Sequence, residues 1–300
     1  MRYAIIGTGA IGGYYGAKLA KAGKNVHFLL RSDYDYVKEH GLTIKSCQGD
    51  FSLDKVNAYN STEGMPKADV IIVALKTTGN RRLQSLLTPI LQPHTVVLLI
   101  QNGVGVEADV QAMFSETQIL AGLAFICSAK TDPGVINHQD FGSLNIGNYS
   151  CRHDELVQQI ISDFTEAGIT AQSVPYDEAR WRKAVWNMPF NGMTVAMNTT
   201  TDRLLANPEM REVIKGMMLE VIEASRACGV TTIPDDFADK MIDMTVEMVP
   251  YSPSMKLDYD YHRKMEIDYL YTRPLQIARE HGYRMIRLEM LEAQLRMLDI

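Results

Sequence analysis

Cysteine is scarce in this chain of 300 residues, and its four copies are scattered. Cys47, Cys127, Cys151 and Cys228 form no CxxC pair and share no regular spacing with histidine, which argues against a zinc site or a disulfide framework. We therefore expect no bound metal. Unpaired thiols also fit a reducing compartment, so we expect a cytoplasmic protein.

Long apolar runs and an excess of basic charge are also missing. No apolar run reaches the roughly 18 residues that cross a bilayer, and a strand pattern begins at residue 2, where a secretory signal would need a basic and then an apolar region. The formal net charge of −6 argues against binding to nucleic acid. With 46% hydrophobic and 22% charged residues, the composition is typical of a soluble globular protein without membrane or nucleic-acid partners.

The first sixteen residues carry a glycine pattern. A strand-like run over residues 2–6 leads into Gly7-x-Gly9-x-x-Gly12, and a helical pattern follows. In a dinucleotide fold the first glycine permits a tight turn, the second admits the pyrophosphate, and the third lets the helix pack against the strand. The free N–H groups of that helix then face the phosphates. We predict that this stretch binds a dinucleotide, rather than forming a turn without a ligand, through Gly7, Thr8, Gly9, Ala10, Ile11 and Gly12.

The end of the second predicted strand, residues 25–30, indicates which dinucleotide binds. An NAD site usually has an acidic residue there, which accepts hydrogen bonds from the ribose hydroxyls. This chain has Arg31 and Ser32 instead. A guanidinium suits a 2′-phosphate because it offers several donors and a permanent positive charge. We therefore predict NADP as the cofactor. Asp33 counts somewhat against this prediction, and the alternative for Arg31 is a solvated surface charge.

Strand and helix patterns alternate over about the first 170 residues. Residues 68–75 and 95–100 are apolar runs typical of buried parallel strands, residues 41–45 and 50–56 predict a small antiparallel pair, and residues 123–147 predict short β segments. This succession predicts an α/β fold with a doubly wound parallel sheet, a Rossmann-type NADP-binding domain over residues 1–174.

Helical periodicity dominates from Tyr176 onward. The predicted helices cover residues 177–197, 208–228, 235–249, 261–281 and 287–298. We therefore predict an all-helical second domain over residues 175–300.

The first of these helices carries one cation and two amides on a single face. Lys183, Asn187 and Asn191 stand at positions i, i+4 and i+8 of this helix. Trp181 and Trp186 flank Lys183. Such a line is suited to binding a polar substrate and donating a proton. The alternative is a surface helix with incidental amides.

Two residues of the first 174 follow buried strands directly. Lys76 comes after residues 68–75 and Asn102 after residues 95–100, so both are expected at carboxyl ends of the sheet, beside the cofactor groove. For Asn102 followed by Gly103, ordinary turn chemistry is the alternative.

A second polar stretch of the helical region covers residues 252–268. Ser254 offers a hydroxyl just before a predicted helix, where the alternative is a simple N-cap. Glu266 stands between apolar neighbours, and for it the alternative is a salt bridge with Arg263 three residues earlier.

Together these motifs resemble the ketopantoate reductase (2-dehydropantoate 2-reductase) family over almost the whole chain. The helical motifs are far more specific than the glycine loop. In chain order the matching residues are Gly7-Thr-Gly-Ala-Ile-Gly-Gly13, Arg31, Val73-Ala-Leu-Lys76, Gln101-Asn-Gly103, Trp181-x-Lys183-x-x-x-Asn187-x-x-x-Asn191, Ser254-Met-x-x-Asp258 and Arg263-x-x-Glu266-Ile-Asp268.

The resemblance implies NADPH-dependent reduction of ketopantoate, a small 2-oxo acid, to (R)-pantoate on the route to pantothenate and coenzyme A. It implies Lys183 as general acid and Glu266 as a catalytic group that holds the substrate beside the cofactor. It also implies a cleft between the two domains and a homodimer formed through the helical domain. Substrate binding would fall to Asn187, Asn191, Ser254 and Asn102, and contacts near the nicotinamide and its ribose to Lys76 and Asn102.

The chain departs from the family pattern at two positions before Glu266. His262 and Met265 stand where the family more often has a small residue and a threonine, and bulky side chains near the pocket would alter which acid fits. One alternative is therefore a reductase of a different 2-oxo acid. A second is an NADP-binding sensor without turnover, against which the Lys183 and Glu266 pair argues, because a sensor needs no proton donor.

Overall fold

The computed structural model describes residues 1–248 and 250–299. The chain forms two compact units. The first consists of Met1–Gln101 and Glu107–Tyr176, and the second of Asn102–Val106 and Asp177–Ile300. The sequence places a domain boundary near residue 174 and contains no sign that residues 102–106 pack with the helical unit.

The first unit is built on one large sheet flanked by helices. Within the described residues its strands are β1 (Arg2–Ile6), β2 (Asn25–Leu29), β3 (Leu42–Ser46), β4 (Phe51–Leu53), β5 (Asn57–Tyr59), β6 (Val70–Val73), β7 (Val96–Leu99), β8 (Gln118–Asp132), β9 (Val135–Asn148) and β10 (Ala171–Val174). Its helices are α1 (Ala10–Lys21), α2 (Tyr34–His40), α3 (Leu83–Leu87), α4 (Val106–Met113) and α5 (Asp154–Glu166), with 3₁₀ turns at Thr62–Gly64, Thr77–Arg82 and Thr88–Ile90.

The centre of this sheet is parallel, in the order β5-β2-β1-β6-β7-β8. Strands β6 and β7 are buried at every residue, as expected for apolar runs with parallel neighbours on both sides. The order reverses beside β1, and the glycine loop follows this strand. The predicted Rossmann-type fold is confirmed.

The sheet as a whole is mixed rather than parallel. Strand β9 runs antiparallel to β8, and β3 pairs antiparallel with β4 as predicted. The expectation of short β segments over residues 123–147 is wrong, because β8 and β9 form one long hairpin of 15 and 14 residues around Pro133-Gly134. Three register irregularities interrupt that ladder, which makes each strand look fragmented in the sequence.

The second unit is helical. Its helices are α6 (Tyr176–Ala196), α7 (Thr201–Leu205), α8 (Pro208–Ala227), α9 (Asp236–Glu247), α10 (Ser254–Asp260), α11 (Arg273–Glu280) and α12 (Ile286–Leu298). Their apolar faces enclose one core, which also buries Val104 of the short segment from the first half of the chain. Predicted helices 177–197, 208–228 and 287–298 are confirmed to within a residue or so. Predicted helix 235–249 corresponds to α9 (Asp236–Glu247), and its residue Val249 lies outside the described residues.

The predicted helix over residues 261–281 is wrong. Helix α10 ends at Asp260, and His262 adopts the left-handed conformation at φ 50°. The N–H of Arg263 then donates to the carbonyl oxygen of Asp258 at 2.8 Å, and the N–H of His262 donates to the carbonyl oxygen of Tyr259 at 3.1 Å. These two bonds form a Schellman motif, which ends the helix. A non-helical segment follows, and helical structure resumes as a π-turn over Asp268–Thr272 before α11.

In the ranges 1–248 and 250–299, no helix has both the length and the apolar character needed to span a bilayer.

Candidate functional site

In the glycine loop of the first unit, Gly7 and Gly12 are tightly packed against the protein, whereas Gly9 is open. Gly7 has φ +102°, and a Cβ there would lie 2.7 Å from the backbone nitrogen of Leu75. A Cβ on Gly12 would lie 2.2 Å from the carbonyl oxygen of Gly7. By contrast, a Cβ on Gly9 would meet no heavy atom within 4 Å. The loop is therefore pressed against the sheet and keeps an open face at Gly9, which is the shape that a pyrophosphate requires.

The start of α1 suits a group of negative charge. Gly9 occupies the N-cap position without a side chain to bond the first N–H groups, and the first turn contains no acidic residue. The positive end of the helix dipole therefore remains uncompensated there. The hydroxyl of Thr8 donates to the carbonyl oxygen of Leu29 at 2.8 Å, which ties the loop to the end of β2. Ala10 and Ile11 form the first turn and stay partly accessible.

Arg31 lies just beyond β2 and is exposed, with no hydrogen bond or ion pair to another described residue. Asp33, the residue that counted against NADP, is buried and ion-paired with Lys130. It also accepts a hydrogen bond from the backbone N–H of Gly134 at 3.3 Å. The carboxylate of Asp33 is therefore held by contacts within the protein, whereas the guanidinium of Arg31 is exposed at this strand end. Lys76 is likewise exposed, directly after β6 and at the start of a 3₁₀ turn.

In the second unit, Lys183 and Asn187 lie on one face of α6 and line a small cavity. The other lining residues come from α6 itself, from the segment 102–106, and from the π-turn: Gly103, Val104, Arg180, Ala184, Met188, Tyr269 and Leu270. Of the predicted line of polar side chains on one helical face, Asn187 and Asn191 are buried within the unit and Lys183 is partly exposed.

Two backbone segments form the wall opposite α6. Gly103 has φ +113°, and a Cβ there would lie 2.5 Å from the carbonyl oxygen of Tyr269. The N–H of Val104 donates to that same carbonyl at 3.2 Å. The hydroxyl of Tyr271 donates to the carbonyl of Met188 at 2.5 Å. These bonds hold the π-turn against both segment 102–106 and α6. Asn102, half-buried, directly precedes the wall residue Gly103.

The electrostatics of the cavity centre on Lys183. Burial lowers the pKa of this ammonium to about 7, with a further lowering by Arg180 and an opposing rise from Glu266. Burial dominates because removing an ammonium from water disfavours its charged form. A lysine that titrates near neutral pH can give up a proton readily and can stabilise a developing negative charge before it does so.

Asn191, the third member of the line, is buried, and both ends of its carboxamide bond the protein. Its Nδ2 donates to the carbonyl of Asn187 at 3.0 Å, and its Oδ1 accepts from the backbone N–H of Met255 at 3.1 Å. Ser254 is the first residue of α10, it is exposed, and its side chain makes no capping bond, since Pro253 occupies the N-cap position. The N-cap alternative for Ser254 is therefore wrong.

Glu266 is buried between Met265 and Ile267 on the segment before the π-turn. The salt bridge considered for it with Arg263 is absent among the described contacts of that arginine, whose Nε donates to Asp258 Oδ1 at 2.9 Å. Glu266 is placed close enough to Lys183 to act on its charge.

The two bulky residues before Glu266 lie away from the cavity beside Lys183. Met265 is buried in the core of the unit, and His262 is exposed in the helix-ending turn. Neither lines the cavity beside Lys183. Arg180 and Tyr269 do line it, and neither is among the site residues predicted from the sequence. Helical spacing offered a signal for Arg180, which precedes Lys183 by three residues and Asn187 by seven.

The described residues, 1–248 and 250–299, contain no cluster of three or more histidine, cysteine or acidic side chains arranged to hold a metal ion.

Comparison with known proteins gives the same family over both units. Residues 3–150 match the family model described as "Ketopantoate reductase PanE/ApbA", and residues 176–299 match "Ketopantoate reductase PanE/ApbA C terminal". A 2-dehydropantoate 2-reductase from Nostoc sp. is 44% identical over 99% of this chain and 95% of its own.

Two solved structures with a similar fold are likewise described as reductases of 2-dehydropantoate or ketopantoate. The 2-dehydropantoate 2-reductase of Geobacter metallireducens superposes with a TM-score of 0.96 at 36% identity, covering 99% of both chains. A ketopantoate reductase from Staphylococcus aureus, described as dimeric, shares the fold with a TM-score of 0.83 at 20% identity, covering 99% of this chain and 98% of its own.

Proposed function

The chain belongs to the ketopantoate reductase family of oxidoreductases, and from this we propose that it reduces ketopantoate to (R)-pantoate with NADPH. The observation that carries the proposal is the cavity in which Lys183, with a pKa lowered to about 7, stands beside Asn187. This reaction would serve the synthesis of pantothenate and coenzyme A.

The first unit would hold the cofactor. Residues 7–12 offer an open backbone face and a helix N-terminus to the pyrophosphate, and Arg31 offers an exposed guanidinium to the 2′-phosphate. Lys76, and Asn102 of the second unit, would contact the nicotinamide end. When bound, NADPH supplies the hydride that reduces the substrate carbonyl.

Lys183 would act on the oxygen of that carbonyl. Negative charge grows on this oxygen as the carbon is reduced, and an ammonium in a buried site stabilises it more strongly than water would. Lys183 then donates its proton, which completes the alcohol. Its lowered pKa favours this transfer, because a general acid works best when its pKa lies near the operating pH.

The remaining polar residues would hold the substrate in place. Asn187 lines the cavity and can bond substrate oxygens directly, and the exposed hydroxyl of Ser254 is available for the same purpose. Glu266 would accept a hydrogen bond from a substrate hydroxyl and support the charge of Lys183. Asn191, whose carboxamide bonds Met255 and Asn187, would act by positioning Ser254.

We also propose that the protein works in the cytoplasm and as a homodimer. The dimeric relative from S. aureus supports the second point.

Genetic complementation tests the proposed pathway role. The gene for this chain should restore growth, without added pantothenate, to a bacterium that lacks its own ketopantoate reductase activity. The Lys183→Ala variant, produced at the same level, is the matched control and should not. Growth that returns only with added pantoate, for both proteins, would contradict the proposal.

A further inference from the structure

Asp33 lies just beyond β2, close to the exposed guanidinium of Arg31. It follows Gly12 by about 20 residues, which is the spacing at which an NAD site has a carboxylate for the ribose hydroxyls. Asp33 and Arg31 are two positions apart, so their Cα atoms are at most about 7 Å apart. A carboxylate turned toward the cofactor here would repel a 2′-phosphate and would bond the hydroxyls of an unphosphorylated ribose. The direction in which Asp33 points therefore affects which cofactor this strand end favours.

The carboxylate of Asp33 is turned away from its own helix. The residue occupies the N-cap position of α2, where an aspartate usually accepts a hydrogen bond from the first N–H groups, but its side chain makes no such bond. It forms an ion pair with the ammonium of Lys130 instead, and it accepts a hydrogen bond from the backbone N–H of Gly134 at 3.3 Å. Both partners are at the tip of the hairpin that β8 and β9 form. With these contacts Asp33 is only 5% exposed.

The tip of this hairpin packs closely on α2. The carbonyl oxygen of Gly134 accepts a hydrogen bond from the N–H of Thr43 at 2.9 Å. A Cβ on Gly134 would lie 3.0 Å from the ring of Tyr36, a residue of α2. These contacts fix the position of Lys130 beside Asp33. The 15 residues of β8 and the 14 of β9 are what bring this cation to the end of β2.

We propose that Lys130 sets the preference for NADPH by holding the carboxylate of Asp33 away from the adenosine ribose. This rests on the proposed function. The ion pair withdraws the negative charge that would compete with a 2′-phosphate for Arg31, and it withdraws the acceptor that would favour NADH. The wrong cofactor is thereby disfavoured as well as the right one bound, which is how specificity commonly arises. Lys130 is a positioning residue, because it acts through Asp33.

The burial of Asp33 keeps this arrangement in place. A carboxylate that leaves its partner in a buried position becomes an unpaired charge, which is strongly unfavourable. The ion pair between Asp33 and Lys130 is therefore expected to persist when the cofactor binds. Removing the ammonium changes this, because the carboxylate then has to find water or another cation, and Arg31 is an exposed cation two positions away.

Fluorescence titrations of NADPH and NADH with the full-length Lys130→Met variant test the proposal by binding alone. Methionine keeps an unbranched apolar side chain and removes the charge. The Kd for NADPH should rise on the order of tenfold, as expected when a like charge is released near a phosphate at a protein surface. The Kd for NADH should stay level or fall. Lys45→Met, which removes an exposed lysine from β3 of the same sheet, is the matched control and should change neither value.

Asp33→Asn separates the effect of charge from a loss of structure. In the double variant with Lys130→Met the released carboxylate is gone, so the Kd for NADPH should return to within about threefold of the wild type. A merely structural role for Lys130 predicts no such recovery, because the hairpin tip has lost its ion pair in both variants. Asp33→Asn alone covers the event that Lys130→Met does not fold. Its Kd for NADH should match the wild type, since the carboxylate it removes is turned away from the ribose.

Three results would overturn the assignment. One is a ratio of the two Kd values in Lys130→Met within about threefold of the wild-type ratio. Another is a loss of NADPH binding that Asp33→Asn does not restore. The third is weaker NADH binding in Asp33→Asn alone, which would show that the carboxylate already reaches the ribose.

The wild-type titrations separate this inference from the proposed function. A wild type that binds NADH as tightly as NADPH would overturn the proposed cofactor, and this inference with it. A wild type that prefers NADPH, with an unaffected Lys130→Met variant, would overturn this inference alone.

Discussion

Asn191 joins two parts of the helical unit, since its Oδ1 accepts a 3.1 Å hydrogen bond from the backbone N–H of Met255. This bond links the middle of α6 to the first turn of α10, directly after Ser254. Both groups are buried, so the bond has no competition from water and fixes where α10 begins. The relationship assigns Asn191 an architectural part in the site.

Replacing Asn191 by alanine should therefore affect stability and substrate binding together. The N–H of Met255 would lose its partner in a buried place, which costs about 1–3 kcal/mol, and Ser254 would lose its fixed position. We expect a lower Tm and a higher KM for ketopantoate. Ser254→Ala is the contrast, because it removes the hydroxyl and keeps the link, so it should raise KM and leave Tm unchanged. An Asn191→Ala enzyme with wild-type Tm would contradict this role.

Replacing Lys183 by alanine should act on the chemical step. Loss of a general acid typically costs about 10²–10⁴ in rate, so kcat should fall by that order. The Kd for NADPH, measured by titration of its fluorescence, should remain close to that of the wild type. Lys240→Ala is a suitable control, since Lys240 is an exposed lysine that pairs with Asp236 at 2.7 Å on α9. Unchanged kcat with a collapse of NADPH affinity would show that Lys183 has a different function.

The lowered pKa of Lys183, about 7, predicts the pH dependence of activity. A general acid must carry its proton, so kcat/KM should be level below pH 7 and fall by about tenfold per pH unit above it. Rates measured from pH 5.5 to 9.5 in buffers of constant ionic strength check this. A level profile up to pH 9 would mean that the donor has an ordinary lysine pKa or is a different group.

The same pKa predicts a pH dependence of stability. Lys183 titrates near 7 in the folded chain and near 10.5 when unfolded, so between these values the unfolded chain binds more protons and stability rises with pH. Below pH 7 the cost of the buried charge is present in full. Lys183→Met should therefore raise the Tm, most strongly at pH 6, with a smaller gain toward pH 10. A gain that is equal at both pH values would contradict the assignment.

Two glycines of the nucleotide loop should respond differently to the same substitution. In Gly9→Ala the new Cβ meets open space, and the backbone at φ −90° suits alanine, so Tm should be unchanged while NADPH affinity falls. In Gly12→Ala the Cβ would lie 2.2 Å from the carbonyl oxygen of Gly7, so the fold itself should be destabilised. If Gly9→Ala bound NADPH normally, the open face would not be the pyrophosphate site.

Arg31→Ala tests the choice of cofactor. Removing the guanidinium should raise the KM for NADPH by at least about tenfold, as expected for a lost hydrogen bond to a charged group, and should leave the KM for NADH nearly unchanged. Arg152→Ala, an exposed arginine of the same unit, should change neither. Equal effects of Arg31→Ala on the two cofactors would defeat the 2′-phosphate argument.

Local patterns predicted much of this molecule from its sequence. The glycine loop, the buried strands β6 and β7, and the polar face of α6 all depend on spacing within one segment, and spacing is visible in a sequence. The same holds for the line of Lys183, Asn187 and Asn191. The roles of these residues came from resemblance to a family, and they remain proposals.

Features that depend on distant partners were missed. Residues 102–106 pack with the helical unit because Val104 enters its core, and nothing in their own pattern indicates this. His262 ends α10 in a left-handed conformation that usually needs glycine, so the periodicity of residues 261–281 suggested one long helix. The length of β8 and β9 follows from their pairing, with its irregular register.

The initial rate of NADPH oxidation with ketopantoate, beside pyruvate, 2-oxoisovalerate and 2-oxobutyrate, tests the central claim most directly. We predict that kcat/KM is much higher for ketopantoate than for each of the other three acids. We also predict that ketopantoate is reduced much faster with NADPH than with NADH. A level profile across the four acids, or a different preferred acid, would contradict the assignment of ketopantoate.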